Sequence, residues 1–306
     1  MLKYHILALF LFISSPSFAL QTTKVSTSIR PVAMLVKSVV GDEIPVQILL
    51  PGSVSPHDYQ LRFSDIKLIK ESDVFFWVGP TLESGISKAV NNHGSLNAIK
   101  LMGVSGLHWP SSFSKHHHHH HHHEEHKGEL IISEDVHDYR DPHIWLSPRN
   151  AIKIVTVINN SLGKIYPENK ITFDKNTNNF KSSMKSLDKL IGDRLKEVEK
   201  KGFLVAHDGY RHFVDHYGLN QLGVIDLTDD ISSSAKHKGK LNRLSDKTSC
   251  IFTDPQHSSK SANQLAEKFD ISSRKLDLMG HDIPLKKNSY IEFLGKFSET
   301  VVECLK

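Results

Sequence analysis

The sequence predicts an α/β protein of two similar lobes, each a mainly parallel sheet flanked by helices, joined by one long backbone helix with a cleft between the lobes. Three observations support this fold class. Short apolar runs alternate with amphipathic segments in the first half of the chain, one long helical segment then interrupts the alternation, and the alternation restarts in the second half. Alternating strands and helices favour a parallel sheet with helices on both faces.

The N-terminal lobe is predicted over residues 20–165. Its first helix, Pro31–Val40, has proline in its first turn and is followed by Gly41, and both are typical helix boundaries. The expected strands are Lys24–Ile29, Pro45–Leu50, Asp73–Val78 and Ala98–Met102, and the other expected helices are Ser64–Glu71, Thr81–Val90 and Arg149–Leu162.

Residues 166–201 are predicted to form the bridging helix. From Glu168 to Lys201 the chain contains no proline. Apolar residues recur there at roughly helical spacing, namely at Phe173, Phe180, Met184, Leu187, Leu190, Ile191, Leu195 and Val198. Such a helix is roughly 45 Å long at 1.5 Å per residue. The apolar positions do not keep a strict heptad, which disfavours a coiled coil.

The C-terminal lobe is predicted over residues 202–306. The expected strands are Phe203–Ala206, Gly223–Leu227, Cys250–Thr253 and Arg274–Leu278, and the expected helices are Arg211–Tyr217, Lys236–Lys247, Ser258–Phe269 and Ser289–Leu305. Ligands of open α/β sheets bind beyond the carboxyl ends of the strands, so the cleft between the lobes is the expected binding site.

Residues 1–19 have the pattern of a secretory signal peptide. Lys3 precedes the apolar run Ile6–Ile13, and Ser17-Phe18-Ala19 is a small-x-small cleavage site. No later stretch reaches about 18 apolar residues, the length that a membrane-spanning helix needs. The expectation is a soluble, exported protein that is cleaved after about Ala19 and resides in the periplasm.

Composition and cysteine content narrow the function classes. The 306-residue chain has a formal charge of +4 without a basic block, so nucleic-acid binding is not expected. Its two cysteines, Cys250 and Cys304, form an even number in an oxidising compartment, which favours a disulfide between a strand and the C-terminal helix. A metal dithiolate is less favoured because there is no CxxC pair.

Residues 105–141 lose all hydrophobic periodicity and are predicted to form a flexible loop inserted into the first lobe. The loop is rich in imidazole, which binds zinc, copper and nickel better than magnesium or calcium. Its histidines are His116, His117, His118, His119, His120, His121, His122 and His123, followed by His126 and His137. A purification tag or a solvated low-complexity tract is the alternative. We expect an accessory loop that collects zinc with low affinity.

Three other histidines occupy junctions that face the expected cleft. His57 follows a turn after a strand, His143 lies in a turn before a helix, and His207 ends a strand. A single histidine at any of these positions is more economically a structural residue, but strand ends converge on the cleft. Three neutral imidazoles suit zinc, whereas manganese prefers more carboxylate. Asp208, Asp141 and backbone carbonyls are candidate anchors for the second ring nitrogens.

The segments around these histidines resemble the ZnuA-type family of high-affinity zinc-uptake periplasmic binding proteins. The resemblance is carried by Pro51–Tyr59 with Ser64-Asp65, by Trp77-Val78-Gly79-Pro80, by Asp141–Pro148 and by His207–Leu219. It implies Zn²⁺ held in the cleft by His57, His143 and His207, in a protein that is not an enzyme. It also implies an inner-membrane zinc permease of an ABC importer as partner, and we expect a monomer.

Two departures from the family pattern concern a fourth ligand. Some zinc-binding members have glutamate immediately before the first histidine, where this chain has Pro56. The family's Asp-Pro-Leu-Gly reads Asp277-Leu278-Met279-Gly280 here, so Asp277 is a tentative fourth ligand and water is the alternative.

Four further histidines have weaker claims to a metal. His257 and His281 flank cleft-side turns and are candidates for a secondary site, whereas packing is favoured for His212 and His216.

Two other function classes stay open at this level. One is a manganese-binding ABC component or an adhesin of the same fold. The other is a zinc hydrolase, since three histidines and an open water position also describe catalytic zinc. The hydrolase is less favoured because the chain contains no HExxH motif.

Overall fold

The computed structural model describes residues 24–92, 97–110, 140–225, 244–257 and 259–306. The predicted signal peptide, the histidine run with His126 and His137, and most of the predicted helix Lys236–Lys247 lie outside these residues. Within the described part of the chain, no helix is long and apolar enough to cross a membrane.

The N-terminal lobe contains a four-stranded parallel sheet. Its strands are β1 (Val25–Thr27), β2 (Val46–Ile48), β3 (Val74–Trp77) and β4 (Ala98–Lys100), in the order β2-β1-β3-β4. Val25 of the central strand β1 pairs with Val46 on one side and Val74 on the other. All residues of β1 and β3 are buried, which explains why both read as short apolar or small-residue runs.

The four helices of this lobe lie where the sequence indicates, but the third begins three residues later than predicted and the fourth ends three residues later. They are α1 (Arg30–Val40), α2 (Phe63–Glu71), α3 (Ser84–Asn92) and α4 (Pro148–Ile165). Pro31 lies in the first turn of α1, and Gly41 follows it with a φ of 78°, a left-handed value that favours glycine. At the start of α4 the Ser147 hydroxyl accepts a hydrogen bond from the Asn150 N–H, so the N-cap is satisfied.

The bridging helix α5 (Lys170–Leu195) has 26 residues and is therefore about 39 Å long. It begins after a single 3₁₀ turn at Pro167–Asn169 and is shorter than the predicted segment at its C-terminal end. The buried side chains of its apolar stripe are Phe173, Phe180, Met184, Ile191 and Leu195. Burial of each large apolar side chain contributes roughly 1.5–3 kcal/mol, so this stripe holds the helix against both lobes.

The C-terminal lobe repeats the architecture of the first. Its parallel strands are β5 (Gly202–Val205), β6 (Asn220–Val224), β7 (Thr248–Thr253) and β8 (Ser272–Lys275), in the order β6-β5-β7-β8. In the part of this lobe that the structure describes, the helices are α6 (Arg211–Tyr217), α7 (Lys260–Phe269) and α8 (Ser289–Leu305). In both sheets the first strand of the lobe lies between the second and the third, so the two lobes share one strand order.

Two predicted strand boundaries in this lobe were wrong. The last strand was expected at Arg274–Leu278, but β8 is an exposed edge strand of polar residues, Ser272–Lys275. The apolar residues on which that prediction depended, Leu276 and Leu278, follow the strand. They are buried at the edge of the sheet where the lobes meet. Likewise β6 begins at Asn220 and not at Gly223. The sequence did not indicate this start, because the first residues of the strand are polar and at least partly exposed.

One continuous apolar core extends from the first sheet across α4 and α5 into the second lobe. At the junction of the lobes Trp145 is fully buried, and its Nε1 donates to the Leu278 carbonyl over 2.9 Å. The hydroxyl of Tyr290, from α8, donates to the Trp145 carbonyl. A smaller cluster around Leu204 and Ile251 packs α7 onto the second sheet.

Cys250 of β7 and Cys304 of α8 form a disulfide, with their Cα atoms 5.7 Å apart. This confirms the predicted link between a strand and the C-terminal helix.

Candidate metal centre

The carboxyl edges of both sheets face the cleft and place three imidazoles together there. One nitrogen from each of His57, His143 and His207 lies within 4.8 Å of the other two. Their ring centroids are separated by 5.5 Å for His57 and His143, by 5.6 Å for His57 and His207, and by 5.1 Å for His143 and His207. The first two come from the N-terminal lobe and the third from the C-terminal lobe.

The orientation of His143 is fixed by the residue two positions before it. Both the backbone N–H and the ring Nδ1 of His143 lie within hydrogen-bonding distance of Asp141 Oδ1, at 3.0 and 2.7 Å. Because an ionised carboxylate only accepts, Nδ1 donates and Nε2 keeps a lone pair that a metal ion could use. His143 is almost fully buried, and so it is held rigidly.

His207 lies beside a carboxylate that the sequence did not indicate. Its Nδ1 lies 3.3 Å from Oδ2 of Asp254, whose side chain is fully buried. Asp208, one of the anchors suggested by sequence, instead binds Arg211, whose Nε lies 2.8 Å from its carboxylate. Asp254 is the first residue after β7 and His207 the second after β5, and these neighbouring strands pair with Val205 opposite Phe252. The pairing of these two strands is the feature from which Asp254 could have been predicted as the neighbour of His207.

Gly209 allows the imidazoles of His143 and His207 to approach the backbone. A Cβ atom at this position would lie 2.7 Å from Leu278 Cδ1, 3.0 Å from His207 Cε1 and 3.1 Å from His143 Nε2. Distances this short force neighbouring atoms to move. The absence of a side chain at Gly209 is therefore part of the geometry of the site.

The electrostatic environment of the cleft favours the neutral form of two of these imidazoles, His57 and His207. Burial, together with the neighbouring imidazoles His143, His207 and His257, lowers the pKa of His57 to about 4. Burial likewise lowers the pKa of His207, against the opposing effect of Asp254. Burial alone would raise the pKa of Asp141, but the attraction of His143 and its hydrogen bonds hold that pKa at about 2. Neutral imidazoles beside ionised carboxylates are the form in which histidine binds metal.

Asp277, the tentative fourth ligand, does not join this group of three in the structure. Its Oδ1 accepts from the Met279 N–H at 2.8 Å, and its Oδ2 accepts from the His281 N–H at 2.6 Å. Gln256 Nε2 lies 3.4 Å from Oδ1 as well. The carboxylate closes the turn that replaces the family's proline-containing one, and its lone pairs are directed to that backbone.

The histidines of α6 have structural partners. Nε2 of His212 lies 2.9 Å from the Asp141 carbonyl, and its ring packs beside Trp109. His216 Nε2 lies 2.7 Å from Asp188 Oδ1 on the bridging helix. The packing role predicted for both therefore agrees with their contacts. The accessory histidines His116–His123, His126 and His137 lie outside the described residues.

Two parallel α/β lobes on one long helix, with a nitrogen-donor cluster in the cleft, define a two-lobed metal-binding protein. The comparison with known proteins is more specific: the chain belongs to the ZnuA family, described as zinc-uptake complex component A, periplasmic, whose profile matches residues 25–304.

Individual relatives and a solved structure agree with this assignment. A Yersinia pestis protein named high-affinity zinc uptake system protein ZnuA is 33% identical over 312 residues, covering 100% of this chain and 98% of the relative. The protein of that name from Haemophilus ducreyi is 30% identical over 92% of this chain and 93% of its own length. A crystal structure of ZnuA has a TM-score of 0.73 at 21% identity, covers 93% of this chain and 100% of its own, and shows the same fold.

Proposed function

We propose that this protein captures Zn²⁺ in the periplasm through His57, His143 and His207 and delivers it to the membrane permease of an ABC importer. The observation that carries the proposal is the convergence of three imidazole nitrogens within 4.8 Å of one another in the cleft between the lobes. Zn²⁺ is the transported substrate, and the relatives' names give it the same role.

The donor set fits zinc. Three neutral imidazoles form a nitrogen-rich, borderline-soft site with Zn–N bonds of about 2.0–2.1 Å. Two of the rings have a carboxylate beside their second nitrogen, Asp141 for His143 and Asp254 for His207. Such partners fix the ring and strengthen the ligand. A preformed site also loses little ordering entropy when the ion binds, which favours high affinity.

The position of the site couples zinc binding to the arrangement of the lobes. His57 and His143 belong to one lobe and His207 to the other, so an ion bound by all three holds the lobes together. Delivery then requires the lobes to shift, and the partners expected for a family member are an ABC permease and its ATPase. We expect the protein to act as a monomer.

A zinc titration of single variants tests the proposal. We expect His57→Ala, His143→Ala and His207→Ala each to lose the tightest zinc site, whereas His216→Ala, a histidine engaged with Asp188, retains it. Circular dichroism establishes that each variant is folded. Tight binding that survived in all three cluster variants would refute the assignment of the site.

The histidine-rich segment is proposed as an accessory collector. Its support is the sequence alone, in which eight consecutive histidines offer many overlapping weak sites. Deletion of residues 115–137 is expected to remove the weak zinc equivalents and to slow growth under zinc limitation while the tight site remains. Unchanged stoichiometry and unchanged growth would exclude this role.

The two other function classes fit the donor set less well. Manganese favours carboxylate ligands, and the cluster of three contains none. Membership in a family of zinc-uptake components favours transport over zinc hydrolysis. Metal competition separates zinc from manganese directly, because preferential binding of Mn²⁺ would contradict the zinc assignment.

A further inference from the structure

A fourth histidine faces the same cavity as the three proposed ligands. His257 lies in the turn after β7, and its ring centroid is 4.5 Å from that of His207. The cavity is lined by His57, His143, His207 and His257 together with Trp145 and Asp254. His257, His207 and Asp254 also form a second group of potential metal ligands, with one donor atom from each within 4.8 Å of the others.

The carboxylate of Asp254 lies between the rings of His207 and His257. Its Oδ1 lies 2.8 Å from Nδ1 of His257, and its Oδ2 lies 3.3 Å from Nδ1 of His207. The carboxylate is fully buried, and neither its Oδ2 nor Nδ1 of His207 makes a hydrogen bond. A single carboxylate thus stands behind two imidazoles in the arrangement that usually supports metal-bound histidine.

The tautomer of His257 follows from this contact. Because the carboxylate only accepts, Nδ1 of His257 carries the proton, and Nε2 has the free lone pair of the neutral ring. The side chain of His257 is 35% exposed and lines the cavity, so the ring is not sealed in the protein interior. By contrast, both oxygens of Asp277 accept hydrogen bonds from the backbone, and Pro56 has no donor atom in its side chain.

We propose that His257 is a fourth zinc ligand, which binds the ion through Nε2 and completes a site of four imidazoles. The proposal rests on the proposed function of the other three histidines. His257 is grouped with His207 and not with His57 or His143, so coordination by all four requires its side chain to turn toward the other two. Asp254 is then a positioning residue for two ligands. Four nitrogen donors satisfy the tetrahedral preference of zinc without a water molecule.

X-ray absorption at the zinc edge tests this assignment on the full chain loaded with half an equivalent of Zn²⁺, which fills the tightest site first. The variants are His257→Phe, which has no donor atom, and His257→Gln, whose amide can still donate to Asp254. His281→Phe is the matched control, because His281 is another exposed cleft-side histidine. The spectra of wild type and the control should fit four imidazole ligands around the zinc. Those of both His257 variants should fit three imidazoles and one oxygen ligand.

The outcomes separate this proposal from the function on which it rests. If wild type and His257→Phe give the same spectrum, with three imidazoles each, His257 is not a ligand. If His207→Ala loses tight zinc binding while those spectra coincide, the transport site stands and only the fourth ligand is refuted. If His207→Ala keeps tight zinc binding, the proposed function fails first.

Discussion

Nδ1 of His143 lies 2.7 Å from Oδ1 of Asp141, two residues earlier in the chain. The side-chain exposures are 4% for the histidine and 9% for the aspartate, so the pair is shielded from water. An ion pair or hydrogen bond in this setting fixes a ring far better than one on the surface. Asp141 therefore determines which nitrogen of His143 faces the cleft.

Replacement of Asp141 by asparagine should weaken zinc binding by about 10- to 100-fold, the usual effect of removing a carboxylate behind a metal-binding histidine. The asparagine amide is neutral, so it no longer stabilises the positive charge that the ring acquires on binding the ion. The measurement is a competitive zinc titration. Asp208→Asn is the matched control, because Asp208 binds Arg211 and should leave the affinity unchanged. Equal affinities for the two variants would count against the anchoring role of Asp141.

Gly209→Ala should weaken zinc binding by about 10-fold or more, because its methyl group would displace the rings of His143 and His207 from their positions. Gly223→Ala provides the control, since a Cβ there meets only ordinary contacts, the nearer being 3.6 Å from Leu204 Cδ2. Zinc titration and thermal unfolding should be measured together. An alanine at 209 that lowered stability without changing zinc affinity would argue that the tight packing serves the fold alone.

The architecture was predictable because local rules and tertiary packing agree in most of the chain. Proline in the first turn and Gly41 at the end located α1, and the buried strand Val74–Trp77 is continuously apolar. The last helix, Ser289–Leu305, has the predicted bounds. The errors fall on edge strands, where exposed polar residues form the strand and the buried apolar ones belong to the following turn, as at β8 and Leu276.

The three histidines could be selected from the sequence because each follows a strand or precedes a helix at one edge of a sheet. The carboxylates that contact their second ring nitrogens were harder to predict from the sequence. Asp141 is a local partner of His143, whereas Asp254 is distant from His207 in sequence and meets it only because β5 and β7 are adjacent. Pairing of strands is a long-range property, so a motif centred on His207 pointed to its neighbour Asp208 instead.

Glu83 should make the stability of the protein fall with increasing pH. It is buried, its Oε2 accepts from the Val78 and Gly79 N–H groups, and burial raises its pKa from 4.5 to about 7 despite those bonds. Between pH 4.5 and about pH 7, Glu83 is therefore protonated to a greater extent in the folded state than in the unfolded state. The free energy of unfolding should therefore decline as the pH rises from about 4.5 and level off above about 7.

The Glu83→Gln variant isolates this effect, because the amide remains neutral at every pH. Relative to wild type, its free energy of unfolding should rise between pH 4.5 and pH 8 by at most about 3 kcal/mol. Urea unfolding of the zinc-free protein at several pH values measures the difference. A difference that stayed constant with pH would show that Glu83 ionises normally.

The disulfide should stabilise the fold by about 2–4 kcal/mol, since it closes a loop with a sequence separation of 54 residues. We expect the double variant Cys250→Ser, Cys304→Ser to unfold at a lower urea concentration than the oxidised protein. Reduction of wild type with a thiol should bring it to the same midpoint and thus controls for the substitutions themselves. Identical midpoints in oxidised and reduced wild type would mean that the link adds no stability.

Zinc binding should move the lobes only slightly. The bridging helix packs on both of them, and direct hydrogen bonds also join them, from Arg30 Nε to the Gly280 carbonyl at 3.0 Å and from Gln256 Nε2 to the Gly52 carbonyl at 3.1 Å. Packed elements of this kind slide by about 1–2 Å rather than swing about a hinge.

Spin labels on cysteines introduced at the exposed positions Lys70 and Glu267, one on each lobe, report this movement. The distance between the labels should change by about 2 Å when zinc binds, within the range of helix shifts. Trp145→Phe removes the donor to the Leu278 carbonyl, and the distribution of distances should broaden because the lobes are then less tightly joined. A change several times larger in the wild-type protein would instead establish wide hinge closure, and the permease would then have to recognise two very different shapes.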